Sequence, residues 1–119
     1  MSSFSDQRGE PLSPEQFFVH MGEAILANYV ALVDSGAPRD AIKVVVGRDG
    51  GTVTDGEALF QTPVTAQLND ADSRKLLKTV GDLIRDFDSG AIPDRRLDMI
   101  KGRHNVANKI RSILQSRGT

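Results

Sequence analysis

Cysteine is absent from this 119-residue chain, which excludes a disulfide frame, a thiolate metal site and a cysteine nucleophile. Tryptophan is absent too, and aromatic residues make up only 5%, too few for a stacking platform that would hold single-stranded nucleic acid. Histidine occurs twice, at His20 and His104. Neither stands one helical turn from a second histidine, as a zinc-binding helix requires. No Gly-x-Ser-x-Gly turn is present to expose a serine nucleophile. The start, Met1-Ser2-Ser3-Phe4-Ser5-Asp6, lacks the basic residues and apolar centre of a secretory leader. His20, Glu23 and Asn28 interrupt the best apolar run, so no membrane span is expected. The expectation from these absences is a soluble, cytoplasmic, non-catalytic protein without metal or cofactor.

What is present is organised around one stretch, Ser13 to Gly36. Ser13 suits a helix N-cap, Gln16 three residues on completes a capping box, and Pro14 occupies the first helical position. Gly36 followed by Pro38 marks the end. Between these signals Phe18, Met21, Ile25, Tyr29 and Leu32 form one apolar stripe, and Val19, Leu26, Val30 and Val33 a second. Only Gln16, His20, Glu23 and Asp34 define a narrow wet strip. A helix apolar over most of its circumference is buried on several sides, by its own chain or by a second copy. Ala24, Ala27 and Ala31 make a small-residue stripe that would let another helix approach, and they are the expected face of a homodimer.

Before this helix, residues 1–12 read as a flexible N-terminal tail, with Phe4 or Leu12 available to staple the helix start. The remainder, 13–119, reads as a single domain. Ala41 to Gly47 switches to β-branched residues and predicts a strand. Arg48-Asp49-Gly50-Gly51 is a turn, Thr52-Val53-Thr54 a second strand, and Asp55-Gly56 another turn. Glu57 to Gln61 predicts either a third strand or a helical turn, with Pro63 confining any strand to an edge. The glycine-rich turn lacks the Lys-Ser/Thr ending of a phosphate-binding loop, and no helix follows it directly. Asp49 and Asp55 lack the alternating carboxylates and closing Glu of a calcium loop.

From Asn69 the period returns to helical, with Leu76, Leu77, Val80, Leu83, Ile84 and Phe87 on one face. Gly81 inside this helix suggests the close approach of another backbone. Ser89-Gly90 ends it, and Pro93 starts a last segment that Gly102 is placed to break or kink. The fold expected is therefore α+β: a long N-terminal helix, a short β-hairpin or meander, and two C-terminal helices in one small domain.

Charge divides the chain. Residues 1–90 carry 8 Lys or Arg against 14 Asp or Glu, a net −6, whereas residues 91–119 carry 7 against 2, a net +5. The basic end either docks on the acidic body or meets an external anion. Arg95, Lys101, Arg103, Asn105, Asn108, Lys109 and Arg111 are of the types that contact phosphates, bases or an acidic partner. Two helices joined across Asp88–Ile92 would then read as a helix-turn-helix. Against that, Arg96, Arg103 and Arg117 fall near the apolar side of an ideal helix, and the pI near 6.1 is not that of a typical DNA-binding domain. The functional expectation is an interaction or regulatory protein with a protein partner, itself included as a homodimer. The alternative is a DNA-binding regulator reading through residues 93–117.

Overall fold

A computed structural model describes residues 14–64 and 67–118. The expected Ser13 cap and the Phe4 or Leu12 staple lie outside the described residues. The elements are α1 (Pro14–Asp34), β1 (Lys43–Gly47), β2 (Gly50–Thr54), β3 (Leu59–Pro63), α2 (Asp70–Ser89), α3 (Asp94–Arg103) and α4 (Val106–Gly118), with a 3-10 turn at Arg39–Ala41. The class is α+β, with a three-stranded antiparallel sheet in the order β1-β2-β3. Three helices, not two, follow the sheet. The last segment breaks at His104–Asn105, where Asn105 takes a left-handed φ of 55°, rather than at Gly102, which lies within α3.

Helix α1 is the core. Ile25, Leu26, Ala27, Val30, Ala31 and Leu32 are all fully buried, and α1 packs against β2, β3 and all three other helices. Its end follows from Gly36, whose φ of 100° turns the chain back. The Gly36 N–H donates to Val33 O at 3.0 Å and the Ala37 N–H to Leu32 O at 3.0 Å, the paired bonds of a Schellman motif. By length and composition Gln16–Asp34 could cross a membrane, contrary to the expectation from sequence. In the fold 67% of that stretch is buried.

The sheet places Val44, Val46, Gly51, Val53, Phe60 and Thr62 on its inner face by register. α1 lies so close to this face that a Cβ on Gly51 would fall 2.8 Å from Ile25 Cγ1. Within α1, Gly22 meets α2 similarly, a Cβ there falling 3.1 Å from both Leu83 and Thr79. Gly81 has open space around it, so the close approach expected there occurs at Gly22 and Gly51 instead. The first hairpin turns on Arg48 and Asp49 alone, because Gly47 and Gly50 are already paired. Residues 59–63 form the third strand, and Pro63 lies on the outer strand as its missing N–H demands.

α2 carries its expected cap, the Asn69 carboxamide accepting from the Asp72 N–H at 2.7 Å. Leu76 and Val80 on its apolar face are fully buried, whereas Leu77 stays 45% exposed. The 3-10 turn is tied to the end of α2 through Arg39, which pairs with Asp88 at 3.2 Å and lies over the Phe87 ring. The Tyr29 hydroxyl donates to the same carboxylate at 3.2 Å. Burial first, and then the Asp88 charge and hydrogen bond, raise the Tyr29 pKa against the opposing pull of Arg39.

Candidate functional site

Two parts of the molecule carry unusual chemistry. The first is the strip of α1 expected to be wet. Glu23 is only 5% exposed. Its Oε2 accepts from Arg96 at 3.3 Å and its Oε1 lies 3.7 Å from Arg103. One turn on, the buried Asn28 donates to Thr62 Oγ1 at 3.0 Å and accepts from Lys109 Nζ. Near the end of the helix Asp34 pairs with Lys101 at 3.4 Å. α3 and α4 are thus held on α1 by charge-assisted bonds arranged along both sides of the alanine stripe. Ala27 and Ala31 are completely buried by this chain alone, and Ala24 partly. The face expected for a second copy is filled by the same chain's α3–α4 segment, so no dimer can form on it without unpacking the protomer.

His104 sits at the break between α3 and α4, within electrostatic reach of Glu23, Lys109, Arg103 and His20. Among the described residues its Nε2 is buried with no hydrogen-bond partner. Burial, then Lys109, Arg103 and His20, push its pKa below the ordinary value, and Glu23 opposes them. Burial likewise lowers Lys109. The fold therefore brings His104 within electrostatic reach of His20 and Glu23, which lie far away in sequence. Among the described residues, however, no three His, Asp or Glu side chains converge to hold a metal, and both Glu23 oxygens face guanidinium groups.

The far end of α4 is fixed in the same way. Arg117 pairs with Asp55 and, at 3.2 Å, with Glu57 in the β2–β3 turn. Burial alone would raise the Asp55 carboxyl. The Ala58 and Glu57 amides, with Arg117, outweigh it and hold the pKa below the usual carboxylate value. A cleft of about 260 Å³ opens beside this pair, lined by Gly36, Ala37, Pro38, Ala41, Asp55, Glu57 and Arg117. Its charged groups are occupied with each other.

Of the seven residues expected to contact a nucleic acid or partner, Lys101, Arg103 and Lys109 point inward to Asp34, Glu23 and Asn28. Arg95, Asn105, Asn108 and Arg111 are exposed.

The second part is the margin of the sheet at β1, which the reading of the sequence did not single out. The Val64 N–H donates to Asp49 O at 3.2 Å and the Asp55 N–H to Ala58 O at 3.3 Å. By alternation Gly51 and Val53 exchange their hydrogen bonds with Thr62 and Phe60 of β3. Their partners across β1, Val46 and Val44, therefore direct N–H and C=O away from the sheet. Among the described residues no backbone group answers them. The side chains agree: Val53 in the central strand is 0% exposed, while Val44 and Val46 on the same inner face are only partly covered. Val45 points outward at 62% exposed. A valine strand with free edge groups is a template for pairing with another strand. No protein-family model matches the chain, and neither a curated protein nor a solved structure matches it.

Proposed function

We propose that this chain is a small non-catalytic interaction or regulatory module that works as a homodimer. The observation that carries this reading is the β1 margin, where three valines stand in a row and Val44 and Val46 leave main-chain groups unpaired among the described residues. The β3 margin leaves Leu59 and Gln61 in the same state but ends in Pro63, which blunts it. Interaction sites of this kind gain affinity from main-chain hydrogen bonds and specificity from alternate side chains. The DNA-binding alternative has less support. Three of its five cations already have partners within the chain, and neutralised groups release few counterions from a duplex.

Sedimentation velocity over a concentration series, with fluorescence anisotropy against random duplex DNA at low salt, tests the proposal. The expected result is a concentration-dependent doubling of mass and no DNA binding. A monomer at every concentration that binds DNA with a steep salt dependence would replace this reading by the alternative.

A further inference from the structure

We infer that the second copy adds antiparallel to β1 about a two-fold axis through Val45, joining two three-stranded sheets into one; this rests on the homodimer reading above. The backbone dictates the register. Val45 directs its own N–H and C=O inward to Thr52 of β2, so Val45 facing its copy is a non-hydrogen-bonded pair, in which side chains approach most closely. Val44 then faces Val46 of the second copy, and Val46 faces Val44, each pair exchanging two hydrogen bonds through the groups that β1 leaves free. The run Val44-Val45-Val46 reads the same in both directions, so an antiparallel copy opposes valine to valine throughout, as an isologous interface requires.

Two further features fit a copy of this chain. Thr79 and Leu83 mark the flank of α2 that meets Gly22 of α1. Helical geometry puts Leu77 and Ile84 on the opposite flank, and α2 packs on β1. Leu77, 45% exposed, thus continues the apolar strip that the two-fold axis would bring against itself. The strand carries a single charge, Lys43. In this register it faces Gly47 of the second copy, so the two strands set no like charges opposite one another.

The absence of native cysteine makes the test direct. Val45→Cys on the axis brings two thiols within disulfide reach, since non-hydrogen-bonded pairs have Cα atoms about 4.5 Å apart. Leu59→Cys, equally exposed on the outer strand β3, is the control. Mild oxidation should convert Val45→Cys to a covalent dimer and leave Leu59→Cys largely monomeric. Val45→Lys should halve the mass of the dimer while its circular dichroism stays unchanged, because that side chain is mostly in solvent. If the wild-type chain doubles in mass, but Val45→Cys does not crosslink and Val45→Lys still dimerises, the register is overturned and the homodimer reading stands. If the wild-type chain stays monomeric from about 5 to 500 μM, a range that reaches the weak association expected of a small interface, both are overturned.

Discussion

The α3–α4 flank and the β1 margin close the same core in opposite ways. On the first, Glu23, Asn28 and Asp34 meet Arg96, Arg103, Lys109 and Lys101, so the most basic part of the chain is engaged with its own acidic body. On the second, one charge accompanies three valines, and two residues direct backbone groups away from the sheet. Charge drew attention to the C-terminal segment as an interface, yet charges that find partners inside a fold offer little to an outside one. Of the two sheet margins with unmet main-chain bonds, β1 is the one that carries three valines in a row and no proline.

The largest effect expected on the closed flank comes from replacing Arg96 and Arg103 together by alanine. This leaves the buried Glu23 carboxylate without either cation and should cost about 2–3 kcal/mol, towards the low end for an orphaned buried charge because both arginines are half exposed. Urea unfolding would measure it. A loss under about 0.5 kcal/mol, the range of ordinary surface substitutions, would mean that these bonds hold nothing together.

Next is Gly51→Ala, which forces α1 and the sheet apart at Ile25 and should cost about 1–3 kcal/mol by overpacking. Shortening the opposing side chain with Ile25→Val should recover part of that loss. An additive double variant would place the strain elsewhere.

Acidification separates the two regions again. His104 binds protons less readily when folded, so the unfolded chain takes up more of them below its ordinary pKa near 6.5. Stability should therefore be full above that value, fall as pH drops below it, and level off beneath the folded pKa. His104→Gln should flatten this slope, whereas a substitution in β1 should leave it intact. Chemical denaturation from neutral to mildly acidic pH reads the difference.

The smallest effect belongs to the open margin: Val45→Lys in dilute, monomeric protein should change stability by less than about 0.5 kcal/mol. A larger loss would show that Val45 supports the protomer itself.

Local signals were the legible ones. Gly36 and Asn69 announced their helix ends because a cap is decided within a few residues, and the β-branched run with Asp-Gly turns announced the meander. The inward role of Arg96, Arg103 and Arg117 was legible in outline, since these residues fall near the apolar side of their helices. Their partners were not, because Glu23 and Asp55 lie far away in sequence. The roles of Gly22, Gly51 and Gly81 could not be told apart either, as only tertiary packing decides which glycine meets a neighbour. At Val45 the difficulty was the pattern itself. Three consecutive valines mask the alternation that would have shown which one points to solvent.

The most direct measurement of the central claim is amide hydrogen exchange as a function of protein concentration, followed residue by residue. Val44 and Val46 should exchange rapidly in dilute protein and become protected as concentration rises, while Leu59 and Gln61 on the other margin stay unchanged. Protection at Val44 and Val46 that does not vary with concentration would contradict it.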